Sequence, residues 1–169
     1  MHKKEQKQYF EEIIAQHKGI LFKIALNYCQ NETDRQDLIQ EMMIQIWQSL
    51  HKYNRQFKMS TWLYRISLNV AISFYRKNTT RIDHQMVLKE QVTESSIEDS
   101  TEKNRQLYLL QQFINELREI DKALMILYLE DKSHAEIAQI LGISVSNVGT
   151  KIARIKEKLR IRFSQKNKP

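Results

Sequence analysis

The sequence predicts an all-α protein: two small helical domains joined by a flexible acidic linker, the second containing a helix-turn-helix. Three observations lead there. The 169 residues include only three glycines and one proline, Pro169 at the last position, and hairpins depend on those two residue types. Apolar residues recur at helical spacing along most of the chain. Charge is spread unevenly: net +5 over residues 1–80, −2 over 81–105, −3 over 106–141 and +7 over 142–169, for a total of +7. A basic total is the footprint of an acidic partner, most often nucleic acid, although a solvated basic tail gives the same number.

The first element is expected over about Lys4 to Cys29, with a break near Gly19. Ile20, Leu21, Ile24, Ala25 and Tyr28 mark its apolar face. The second begins at "TDRQ", where Thr33 can cap and Gln36 can complete a capping box. It carries Leu38, Met42, Ile46 and Leu50 on one stripe and Ile39, Met43 and Trp47 on an adjoining one. Apolar residues thus cover more than half its circumference, so it is either deeply buried or meets a partner. The third follows a cap at Ser60 or Thr61. Trp62, Ile66, Val70 and Phe74 form one stripe; Tyr64, Leu68, Ala71 and Tyr75 form another. Trp62, Leu63, Ile66 and Val70 are assigned to the core.

The stretch from Arg81, "RIDHQMVLKEQVTESSIEDSTEKNRQ", has weak periodicity and is rich in Glu, Ser, Thr and Asp. It reads as a linker over 81–105 between domains at 1–80 and 106–169. Its few apolar residues cannot offset an ordering entropy of roughly 1–2 kcal/mol per residue, so limited proteolysis is expected to cut there first. Four helices are expected beyond it. Two run from about Leu107 to Leu117 and from Ile120 to Leu129. Ser133 with Glu136 forms a capping box for the third. The last starts near Ser144 or Ser146 and reaches about Phe163. The chain ends shortly after it, and no C-terminal sensor domain is expected.

Several classes are disfavoured. No stretch of 18 apolar residues is present, and "MHKKEQKQYFEE" lacks the apolar segment of a secretory signal. Cys29 is the sole cysteine, and His2, His17, His51, His84 and His134 are scattered without metal-ligand spacing. There is no glycine-rich phosphate loop and no partner for Cys29 as a nucleophile. A cytoplasmic protein with no cofactor, metal or catalytic residue is expected.

"AEIAQILGISVSNVGTKIARIKEKL", from Ala135 to Leu159, points to DNA. Ile137, Ala138, Ile140 and Leu141 need a small core. Gly142 supplies the left-handed residue that ends their helix, and the next begins three residues on, the spacing of a helix-turn-helix. Val145, Val148, Ile152, Ile155 and Leu159 mark the inner face of that second helix. Its outer face shows Asn147, Thr150, Lys151, Arg154 and Lys158, with Ser146 beside them at the N-terminus. These are donors suited to base edges and phosphates in a major groove. An ordinary antiparallel helical pair with a basic solvated face is the plainer alternative.

Three stretches in order, "DLIQEMMIQIWQSLHKY", "TWLYRISLNVAISFYRK" and "HAEIAQILGISVSNVGTKIARIKEKLR", with an acidic linker between the last two, resemble a known family. They are similar to bacterial RNA polymerase sigma factors of the extracytoplasmic-function class (sigma-70 family, group IV). The likeness covers roughly residues 10–80 and 105–163. It implies a chain that binds RNA polymerase core enzyme, recognises promoter DNA and melts the −10 region. It assigns Asp37, Leu38, Gln40, Glu41, Ile44 and Trp47 to core-polymerase binding, which would account for the surplus apolar surface of their helix; for Ile44 and Trp47, plain core packing stays open. It places Asn69 at a base edge of the −10 element. Arg76, Lys77 and Arg81 would hold phosphates, and Tyr75 or Phe74 would stack on bases, with packing the favoured role for Phe74. The helix-turn-helix would read the −35 element. Gly149 departs from the pattern, standing where many relatives carry Lys or Arg; it removes a DNA contact and lowers helix propensity by about 1 kcal/mol. An anti-sigma protein is a further partner that the resemblance suggests. The rival readings are a helix-turn-helix regulator that never binds polymerase, an adaptor that binds polymerase without DNA, and an enzyme.

Overall fold

The computed structural model describes residues 2–82 and 101–166. Among these residues the chain forms α1 (Lys3–Tyr28), α2 (Glu32–Ser49), a 3-10 turn (Leu50–Lys52) and α3 (Met59–Ile82). Beyond the undescribed stretch come α4 (Glu102–Glu116), α5 (Glu119–Leu129), α6 (His134–Leu141) and α7 (Val145–Lys166). The linker expected over 81–105 lies mostly outside the described residues. Its two ends are helical instead, since α3 reaches Ile82 and α4 takes in Glu102 to Arg105.

Local boundaries follow side-chain chemistry, and several differ from expectation. Helix α1 passes through Gly19 without a break. A helical glycine costs about 1 kcal/mol relative to alanine. Leu21, Ile24 and Ala25 just beyond it are buried, and their packing outweighs that penalty. The cap of α2 is Asn31 and not Thr33: its Oδ1 accepts from the Asp34 N–H at 2.8 Å. Asn is the stronger cap of the two. Gln36 completes no box and donates to Glu32 Oε1 at 3.3 Å. In α3 the Trp62 N–H already donates to the Lys58 carbonyl, so Ser60 and Thr61 lie inside the first turn.

Helices α1, α2 and α3 pack on one another around Leu38, Met42, Ile46 and Leu63, each with no exposed surface. The deep stripe of α3 is Tyr64, Leu68 and Ala71, joined by Leu63 and Ile72. Trp62, Ile66 and Val70 are only partly buried at the rim of the core, so their assignment to its interior is corrected. Trp62 leans on Tyr53, with ring centroids 5.2 Å apart.

The second set builds on α5, whose residues Lys122 to Leu127 are all buried. It is therefore surrounded on all sides. Helices α6 and α7 cover one flank, and α1 and α3 cover another. The buried side chains of both sets form one contiguous core. No sequence pattern points to this contact between the halves, and it decides which of the candidate side chains are reachable.

Candidate nucleic-acid and polymerase interfaces

The helix-turn-helix forms by the expected local chemistry. Ser133 Oγ accepts from the Glu136 N–H at 3.1 Å, and Glu136 Oε2 accepts from the Ser133 N–H at 2.8 Å. Those bonds hold the Glu136 carboxyl below its ordinary range. Gly142 ends α6 at φ 70°, a region that side-chain-bearing residues seldom adopt. Ser144 Oγ then accepts from the Asn147 N–H at 3.1 Å, which makes Ser144 the cap of α7. Val148, Ile152 and Ile155 point inward, and Leu159 is half-buried. Val145 is 52% exposed and does not belong to the inner face.

The opposite face of α7 carries Ser146, Asn147, Thr150, Arg154 and Lys158, all exposed, and Lys151, half-buried. The Thr150 hydroxyl donates to the Ser146 carbonyl at 3.1 Å, leaving its lone pairs to accept. Among the described residues no carboxylate pairs with Lys151, Arg154 or Lys158. Three other basic residues of α7 have internal partners. Lys156 lies 4.4 Å from the Tyr128 ring centroid, Arg160 donates to Glu157, and Arg162 pairs with Glu116 of α4. One face of α7 is thus tied to the fold, and its outer face presents cations outward. Gly149 sits beside His134: a Cβ there would lie 3.7 Å from the imidazole, an ordinary contact.

The residues assigned to the −10 element are differently placed. Asn69 and Lys77 are exposed on α3, Phe74 is partly buried against the core, and the Arg81 side chain lies outside the described residues. Arg76 Nε donates to Glu119 Oε2 of α5 at 2.5 Å. The Tyr75 ring meets Tyr28 edge-on at 6.1 Å, and the Lys122 ammonium lies 5.1 Å from its centroid. That ammonium also stands 5.3 Å from the Tyr28 ring and donates to the Asn115 carbonyl at 3.3 Å. Lys122 is 3% exposed, and burial pulls its pKa below the usual lysine value, an effect the neighbouring Cys29 partly opposes. The Tyr28 hydroxyl donates to the Glu119 carbonyl at 2.7 Å; burial, then Glu119 and Tyr75, push its pKa up. Cys29 is buried too, and its thiol is pushed up to about 11, chiefly by desolvation. Sequence reasoning named neither Tyr28, Glu119 nor Lys122 as functional. One signal was available: a lysine next to a run of apolar residues on a helix that must be buried all round.

On α2, Asp37, Gln40, Glu41 and Ile44 are exposed at positions that share one face. Ile44 is 48% exposed. Leu38 is fully buried and has no surface for a partner, which removes it from the interface set. Trp47 is half-buried, edge-on to Phe10 of α1 with centroids 5.3 Å apart, so part of its ring is committed to packing. No described helix is long and apolar enough to cross a membrane.

Comparison with known proteins gives these surfaces a context. Sigma-70 region 2 matches residues 13–81, and Sigma-70, region 4 matches residues 107–159. The ECF RNA polymerase sigma factor SigW of Bacillus subtilis is 28% identical, over 94% of this chain and 90% of that protein. The RNA polymerase sigma factor SigV of the same organism is 25% identical, over 91% and 90%. Among solved structures, CnrH in complex with the cytosolic domain of CnrY shares the fold with a TM-score of 0.66 at 22% identity, covering 94% of this chain and 90% of CnrH. The sigma factor RpoE in complex with the anti-sigma factor NepR from Bartonella quintana also gives 0.66, at 16% identity and 95% and 98% coverage. With both regions matched in order, and full-length relatives of one kind, the chain belongs to the sigma-70 family, as an RNA polymerase sigma factor of the extracytoplasmic-function class.

Proposed function

We propose that this sigma factor docks on polymerase core enzyme through the α2 face of Asp37, Gln40, Glu41 and Ile44, with Trp47 at its edge. Residues 1–80 and 106–169 then act as two promoter-binding units joined by 81–105. Ser146, Asn147, Thr150, Lys151, Arg154 and Lys158 read the −35 duplex. Asn69, Tyr75, Arg76, Lys77 and Arg81 hold the melted −10 strand. Unstacking a base costs a few kcal/mol. A protein that carries out no catalysis of its own must offset that with stacking, base-edge hydrogen bonds and phosphate contacts.

The observation that carries this reading is the outer face of α7, where donors and cations stand in a row with no carboxylate partner among the described residues. The family supplies the rest: a sigma factor directs polymerase to promoters. The complexes formed by CnrH and RpoE support an anti-sigma protein as a third partner, acting with this chain in the cytoplasm. Run-off transcription tests the proposal, using purified core polymerase on promoter DNA with and without the chain. Promoter-specific transcripts are expected only with it. DNA binding without any transcript would favour a regulator that does not engage polymerase.

A further inference from the structure

Val145 opens α7 on the period of Val148, Ile152 and Ile155, yet it lies outside the core while Val148 has no exposed surface. A single apolar side chain on a surface is ordinary when it is scattered. This one stands in the first turn of the helix whose outer face carries the candidate −35 contacts. Beside the row Ser146, Thr150 and Arg154 runs a second row, Val145, Gly149 and Ala153, at the same four-residue spacing. Val145 and Ala153 are exposed and Gly149 is partly so, and no side chain of this row is polar. The His134 imidazole of α6 borders it at Gly149, with Nδ1 3.7 Å from where a Cβ would stand. The reader helix thus presents two lanes side by side, one hydrogen-bonding and one apolar.

A major groove offers both kinds of chemistry. Its base edges carry hydrogen-bond donors and acceptors, and its apolar feature is the C5-methyl group of thymine. We propose that Val145 is a specificity-determining residue of the −35 reader, with its isopropyl group packed on a thymine methyl. This rests on α7 as the −35 reader and deepens that reading by naming a base. The position suits the role, because the N-terminal residues of a reader helix lie nearest the bases. The Ser144 cap on the Asn147 N–H holds that first turn in place. Valine is stiff at χ1, so little rotamer freedom is lost when the contact forms. Gly149, one turn on, has no side chain to keep the thymine at a distance. Apart from Val145 this flank exposes only small residues, too little apolar area for the centre of a protein–protein interface.

The test uses the full chain assembled with core polymerase. The −35 sequence it prefers is selected from a randomised duplex library. Each thymine of that sequence is then replaced in turn by deoxyuracil, which keeps every hydrogen-bonding atom and lacks only the methyl group. At one position the replacement is expected to lower affinity about fourfold, the worth of one buried methyl group. In the Val145→Ala chain the same replacement should leave affinity level, and thermal melting should match the parent because the side chain lies outside the core. Sensitivity at no position, sensitivity that persists in Val145→Ala, or a preferred sequence without thymine overturns the assignment. Arg154→Ala with Lys158→Ala separates this from the reading beneath it. If that pair weakens −35 binding and methyl loss does not, Val145 alone is wrongly assigned. If neither has an effect, α7 is not the −35 reader and both readings fall.

Discussion

The outer face of α7 and the end of α3 hold similar chemistry, a mixture of cations and hydrogen-bonding groups, in opposite conditions. On α7 the cations Arg154 and Lys158 face outward, while Lys156, Arg160 and Arg162 are engaged within the fold. On α3 the engaged residues, Tyr75 and Arg76, are among those we propose for the −10 strand. The difference suits their targets. A −35 element is duplex and available from the start, whereas a −10 strand is exposed only once melting has begun.

The largest test breaks the open side. Val148 has no exposed surface beneath the reader face. Val148→Asp should cost several kcal/mol, as an unpaired buried carboxylate does, and abolish −35 binding. A chain with this change that melts like the parent would sink the inner-face placement. Next come Ile44→Ala and Trp47→Ala, which separate a docking face from the core. Ile44→Ala should leave stability within about 0.5 kcal/mol, as surface changes do, while weakening core-polymerase binding. Trp47→Ala should lower stability by about 1–3 kcal/mol, since it also loses the Phe10 contact. Thermal melts alongside polymerase pull-down resolve the two.

Smaller effects sharpen the comparison. Lys158→Ala should weaken all duplexes alike and reduce the salt slope by about one unit, whereas Thr150→Ala or Lys151→Ala should change −35 preference by about 1–3 kcal/mol. A panel of −35 variants at two salt concentrations distinguishes these, and uniform shifts from Thr150 and Lys151 would move base reading to Ser146, Asn147 or DNA shape. Beside α5, the Cys29 thiol reports the contact between the regions. With its pKa near 11 against an ordinary 9.0, thiolate near neutral pH is scarcer by about a hundredfold, so alkylation should be slow and should speed up in the Tyr28→Phe, Glu119→Gln chain. The sign for stability follows: the protonated thiol is favoured in the fold, so its contribution is complete below pH 9.0 and fades as pH rises through 11. Last, Ser67→Ala should stabilise by about 1 kcal/mol, because the buried Ser67 hydroxyl has no hydrogen-bond partner among the described residues.

What could be read from sequence was local. The Ser133–Glu136 box, the turn at Gly142 and the Leu38–Met42–Ile46 stripe each depend on residues a few positions apart, and each has its own spacing. Where two local signals competed, the reading was less secure: Asn31 outranked Thr33 as a cap, and packing overrode Gly19. Val145 shares the period of Val148, Ile152 and Ile155 yet is 52% exposed, so periodicity alone does not fix burial in a first helical turn. The contact of α5 with α1 and α3 was invisible, since Tyr28 and Glu119 are 91 residues apart and no pattern links them. Its only trace was Lys122 beside an apolar run, which reads equally well as a snorkelling surface residue.

The single core spanning both regions has a thermodynamic consequence. Helices that share buried side chains across a boundary lose them together, so the free chain should unfold in one calorimetric transition, with matching calorimetric and van't Hoff enthalpies. Were α5 and α3 to part, Tyr28, Tyr75 and Lys122 would meet water and that coupling would be lost. The same polypeptide should then melt in two steps, the smaller region first. Heat capacity traces of the parent and of the Tyr28→Phe, Glu119→Gln chain would record cooperativity as a property of the arrangement of the helices rather than of the helices themselves.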